Sequence, residues 1–171
     1  MATYYSTQRT GDTASPPVMH NPAGVTYKIP WDFTVGTELA DGDVVELCKI
    51  PAGSRVYIQE SYFRMSDTAT ANTLLDIGYK AYKDKNGDTV AADPNGIVAA
   101  HLGTVTTMHS LNTATTSPLG AAVIVEGSYG ILDLSDAHED VTLILTCDDG
   151  TGTYAGTVGD VYEGWFTVQH A

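Results

Sequence analysis

The sequence predicts an all-β fold: an antiparallel β-sandwich, of the jelly-roll kind, carrying an extended N-terminal arm. Three observations lead there. Apolar and polar residues alternate over short runs, the two-residue period of a half-buried strand. Clusters of Gly, Pro, Asn and Asp interrupt those runs roughly every eight to fifteen residues. No stretch keeps the 3.6-residue period through three turns of helix. About eight or nine strands result, enough for two packed sheets in one domain.

Residues 1–24 read as the arm, because Pro16-Pro17, Asn21-Pro22 and Gly24 break a polar stretch. Its Tyr4-Tyr5 pair is apolar enough to dock on the domain or on a neighbour, the alternative being a disordered terminus. Residues 25–171 form the sandwich. The first strand alternates Val25, Tyr27, Ile29 and Trp31 with Thr26 and Lys28, and Pro30 marks an edge or a strand end. Residues 43–58, DVVELCKIPAGSRVYI, set two apolar runs about a Pro-Ala-Gly turn and read as a hairpin. In the long run from Arg55 to Met65, unbroken alternation puts Val56, Ile58, Glu60 and Tyr62 on one face, and Tyr57, Phe63 and Met65 on the other. Leu75, Ile77 and Tyr79 are in phase on the next strand.

The middle third is less regular. Asn86-Gly87 and Asn95-Gly96 are both strong turn formers, Ile97–Leu102 suits a short strand or a helical turn, and 104–118 reads as a surface loop or edge strand. Strands return at Ala121–Glu126 and Gly130–Leu134, with one helical turn expected over Asp133–Asp136. Val141, Leu143, Leu145 and Cys147 alternate with Thr142 and Thr146, residues 148–160 form a Gly-rich connection, and Val161–His170 closes the sandwich.

Charge narrows the partners. With 21 acidic and 8 basic residues the formal net charge is -13, a field that repels phosphate backbones and anionic lipid. Direct nucleic-acid binding is therefore not expected. Neither is a membrane span, since no run approaches the length of apolar helix that a bilayer needs. No basic-then-apolar leader is read at the start of the chain. Cys48 and Cys147 both fall inside strands and read as buried, reduced thiols, a disulfide between neighbouring strands being the alternative.

A catalytic constellation does not emerge. His20, His101, His109, His138 and His170 are scattered, no Gly-x-Ser-x-Gly turn presents a nucleophile, and zinc-ligand spacing is missing around His138-Glu139-Asp140. The reading is a non-enzyme without a cofactor. Structural calcium is the weak exception: Asp84, Asn86 and Asp88 alternate, and Asp148-Asp149 precede Gly150, but no Glu closes an EF-hand loop. Exposed Tyr or Trp on a β surface would instead suit stacking against sugar rings.

The stretch GDVVELCKIPAGSRVYIQESYFRM, followed by LLDIGY, resembles the head decoration, or cement, proteins of tailed bacteriophages. The match rests on Gly42, Asp43, Val44, Lys49, Ile50, Pro51, Ala52, Gly53 and Arg55, continued by Leu75, Asp76, Ile77 and Gly78. GAAVIVEGSYGILDL and the closing VYEGWFTVQHA resemble the group more loosely. The resemblance implies a β-sandwich on the outer surface of a virion capsid, commonly a homotrimer, bound across neighbouring copies of the major capsid protein. Under it, the arm residues Tyr4, Tyr5 and Arg9 and the loops 84–96 and 104–118 become contacts. Tyr27, Trp31, Tyr62 and Trp165 are then interface candidates, each weighed against a place in the core. Two rival roles stay open: a carbohydrate-binding or host-attachment module of a tail or fibre, and a glycan-cleaving virion accessory.

Overall fold

The computed structural model describes residues 2–6, 24–65, 74–102, 109–111, 130–147 and 158–170. Among them the regular elements are all strands: β1 (Thr3–Tyr5), β2 (Thr26–Thr34), β3 (Val44–Ile50), β4 (Ser54–Met65), β5 (Leu74–Tyr79), β6 (Tyr82–Lys83), β7 (Thr89–Val90), β8 (Asp93–Leu102), β9 (His109–Ser110), β10 (Ile131–Leu134), β11 (Val141–Cys147) and β12 (Val161–His170). One sheet has the order β1-β3-β11-β5-β8, and the other β10-β4-β12-β2, with β9 also on β4. Leaving aside β1 and the short β6, β7 and β9, the eight principal strands form two antiparallel sheets in the jelly-roll order, β2-β12-β4-β10 and β3-β11-β5-β8. The predicted strand at 121–126 lies outside the described residues, as does most of 104–118 and of 148–160.

The stretch 43–58 is not a hairpin. β3 pairs with β1 and β11, β4 pairs with β12 and β10, and the turn between them carries the chain from one sheet to the other. Gly53, at φ 75, makes the corner, and the Ala52 amide is held by Asp140 Oδ1 at 3.2 Å. Two apolar strands flanking a tight turn look alike whether they pair or separate. What decides is that each has both of its edges taken by strands distant in sequence.

Two turn expectations divide. Asn86-Gly87 does turn, with Gly87 at φ 84 between β6 and β7. Asn95-Gly96 instead lies within β8, where the register against β5 shifts between Ile77 and Tyr79. The extra residues are absorbed as a bulge, and a Cβ on Gly96 would sit 2.8 Å from the Asp93 side chain. Ile97–Leu102 belongs to the same strand, not to a helical turn. Ser135-Asp136 is a turn closed by the Ala137 amide on the Leu134 carbonyl at 3.0 Å, so the helix expected there does not form.

The core lies between the sheets. On the β2–β12–β4 side it is an aromatic layer: Trp31 stacks on Phe63 (5.9 Å, 19°) and Phe166 (6.1 Å, 27°), and Tyr162 stacks on Phe63 (6.1 Å, 13°) and Phe33 (6.4 Å, 24°). Each such pair adds about 0.5–1.5 kcal/mol beyond its burial. Gly164 faces Trp31 and Phe63 across the ladder, and a Cβ there would meet the Tyr62 carbonyl oxygen at 2.1 Å. The rings fill the room that the glycine leaves. On the other sheet Val45, Leu47, Ile50, Leu75, Ile77, Leu143 and Leu145 complete the core, with the buried, reduced Cys48 and Cys147 among them.

The outer faces differ. On the β3–β11–β5 sheet Glu46, Asp76, Ile144 and Thr146 are buried although they point away from the core, and Ile144 stands apart from the core cluster. On the β4–β12–β2 sheet the outward residues are half-buried or exposed, apart from Thr167, which is buried.

Candidate functional site

The outer face of the β4–β12–β2 sheet owes its shape to an irregularity in β4. Tyr62 pairs with Trp165 and Tyr57 with Thr167, so five steps along β4 match two along β12. The odd excess reverses the phase of the strand. Tyr57 and Tyr62 therefore share the outer face, Ser61 and Phe63 point inward, and Glu60, expected beside Val56 and Ile58, is exposed.

Side chains replace the missing ladder bonds. Ser61 Oγ donates to the Tyr57 carbonyl (2.7 Å) and accepts from the Thr167 amide (3.0 Å). The Glu60 carbonyl accepts from Thr167 Oγ1 (2.7 Å) and from the Trp165 indole N–H (3.2 Å). The bulge is thus satisfied and fixed, and the indole is fixed with it.

Three side chains then form a row across three strands. The Tyr62 and Trp165 rings lie 4.9 Å apart at 32°, and Lys28 Nζ sits 4.1 Å from the Trp165 ring centroid. Beside this row, where β12 carries the smaller Thr167, an open trough of about 310 Å³ is lined by Thr26, Tyr27, Lys28, Glu60, Tyr62 and Thr167. Among the described residues that line it, Glu60 is the one carboxylate, whereas glycoside hydrolysis uses two acids about 5–9 Å apart. Cross-strand partners flank it: Tyr57 donates to the Gln169 side-chain oxygen, Arg64 pairs with Glu163, and Arg55 Nε lies 3.3 Å from Asp133 Oδ2.

A second feature is the seat of the arm. β1 adds parallel to the edge of β3, with Tyr4 opposite Val45. Asp43 anchors it: its buried carboxylate accepts from the Ala2 amide (2.6 Å) and the Ala40 amide (3.0 Å). Burial opposes ionisation of Asp43, but these amides and the Tyr4 hydroxyl outweigh it, holding the carboxyl below the usual carboxylate range. Tyr4 packs its ring on Phe33 at 6.2 Å, and the buried Ser6 donates its hydroxyl to the Leu47 carbonyl.

The sequence candidates are therefore spread over three places. Tyr4 is half-buried in the arm's seat, next to Tyr5 at 48 % exposed, and Arg9 lies outside the described residues. Trp31 is 1 % exposed and belongs to the core. Tyr62 and Trp165 come together on the outer face, while Tyr27, opposite the core residue Val168, packs against the core and only borders the trough beside Lys28. Sequence reasoning did not single out Lys28 and Thr167, and it put Glu60 beside Val56 and Ile58 only for an unbroken strand, a condition that the bulge removes. The outward position of Lys28 was nevertheless legible in the alternation of β2.

Among the described residues no three His, Cys, Asp or Glu side chains gather where they could hold a metal ion. The Asp84 carboxylate accepts from the amides of Asn86 and Asp88, both at 2.9 Å, and so caps its own turn. Asp148 and Asp149 lie outside the described residues.

No protein-family model matches the chain, and no curated protein does. Among solved structures, the chain is similar to one in the capsid of Ralstonia phage GP4, at 17% identity over 88% of each chain with a TM-score of 0.49. It is also similar to one in the infectious bursal disease virus VP2 subviral particle, at 13% identity and a TM-score of 0.41, over 90% of this chain and 35% of that one.

Proposed function

We propose that the protein is a structural virion component that decorates a bacteriophage capsid, binding from outside across neighbouring major capsid protein subunits, as a homotrimer. The observation that carries the reading is where the sequence resemblance falls. Gly42–Arg55 builds the corner at which the chain crosses between the sheets of the jelly roll, so the likeness to cement proteins lies in the framework and not in a variable loop. A sandwich with stacked aromatics at its core and an accessory strand on one sheet edge suits a mechanical role. In that role many weak contacts act together. Binding to the assembled lattice stabilises the lattice, and joining three copies multiplies the effect through effective concentration.

The test is to add the purified protein to capsids that lack it, then measure co-sedimentation and the temperature at which the shells rupture. Saturable binding at a fixed ratio to shell subunits, with a higher rupture temperature, is expected. Binding to neither mature nor immature shells would overturn the reading. Native mass measured across dilution checks the trimer.

A further inference from the structure

We propose that the trough on the outer face of the β4–β12–β2 sheet binds a neutral pyranose, one ring or two of an uncharged glycan. The site does not depend on the capsid reading and would be a second function of the same domain. A sugar ring offers an apolar C–H face and a rim of hydroxyls, and the trough offers a counterpart to each. The Tyr62 ring gives the apolar wall. Glu60 can accept from hydroxyls, and the Lys28 ammonium can donate to them. The volume of about 310 Å³ is at the small end for ligand sites and spans β12 between β2 and β4, a width of roughly 9–10 Å.

Other ligand classes fit less well. A purely apolar ligand would strand the Lys28 and Glu60 charges at the wall. An anionic sugar or a phosphate would find its one lysine offset by Glu60, on a protein of net charge -13. The wall is also pre-organised. Trp165, tied by its indole N–H to the Glu60 carbonyl, lies against Tyr62 and under Lys28. Little side-chain freedom remains to be lost when a ligand arrives.

The test is amide-resolved NMR titration of the full chain with glucose, galactose and mannose, and with maltohexaose and cellohexaose, taken to about 20 mM; sialyllactose is the acidic comparison. The expected result is fast-exchange shifts confined to residues 26–28, 60–62 and 165–167 with at least one neutral sugar, at a Kd on the order of 1 mM. Tyr62→Ala should weaken that binding at least tenfold. The near-isosteric Glu60→Gln should weaken it about threefold, and Arg55→Ala, at the Asp133 pair, should leave it unchanged. The same spectra report whether each variant folds. Absence of shifts with every neutral sugar would overturn the proposal. So would shifts unaltered by both Tyr62→Ala and Glu60→Gln, or a preference for sialyllactose.

Discussion

The two sheets of the sandwich share a core but not a surface. On the β3–β11–β5 sheet the outward residues Glu46, Asp76, Ile144 and Thr146 are buried, while on the β4–β12–β2 sheet all outward residues but Thr167 stand half-buried or open. On the first sheet an outward position is a packing position. On the second it is a place where a side chain can be changed for the sake of a partner. Strand alternation alone separates inside from outside, and the comparison shows that outside is not the same as exposed.

The comparison can be broken most severely at Ile144. Ile144→Asp places a charge in a buried outward position and is expected to cost about 3–5 kcal/mol in urea unfolding, against about 1 kcal/mol for Tyr62→Asp on the open face. Similar losses in the two variants would show that the faces do not differ. Next comes Gly164→Ala, which drives a Cβ into the Tyr62 carbonyl and should cost about 2–3 kcal/mol. Gly36→Ala, with nothing within 4 Å, should change stability by at most about 0.5 kcal/mol.

Asp43→Asn probes the edge of the buried-faced sheet. It should release β1 and lower stability by about 1–2 kcal/mol near neutral pH. Because the folded carboxyl titrates below its unfolded value, its contribution is complete above about pH 5 and is lost as pH falls through the depressed folded pKa. The wild type should therefore lose arm protection in acid, read by hydrogen exchange at residues 3–6, and the Asn variant should lack that step. The smallest effect is expected on the open face. A double-mutant cycle of Tyr62→Ala and Trp165→Ala should give a coupling of about 0.5–1 kcal/mol, sharpening the view of the pair as a local platform.

Much of the framework was legible in the sequence. The alternation in β2, β5 and β11 marked the strands and most of their inward residues, and the closing strand β12 was legible as a strand without its faces. The site was half legible. Tyr62 and Trp165 were candidates, but a period of two continues through a bulge without notice, so Glu60 and Tyr62 were set on the same face as Val56 and Ile58. The bulge is held by the Ser61 and Thr167 hydroxyls, and two of their three bonds join residues about a hundred positions apart, which no local pattern announces. Trp31 and Trp165 illustrate the same limit. Both sit on strands of one sheet, and only the register against Gly164 and Pro30 separates the core ring from the surface one.

The place of β12 also bears on how the chain is made. This strand lies between β2 and β4, bridging an early strand to a middle one, and both pair with it along nearly their whole length. During synthesis neither can complete its ladder until residue 170 has left the ribosome. Until then the nascent chain carries these two apolar strand edges unpartnered, as expected where long-range pairings dominate. Closure of this sheet therefore waits on one strand: a polypeptide stopped before Val161 would hold the residues of the aromatic layer from β2 and β4 with no strand to join them.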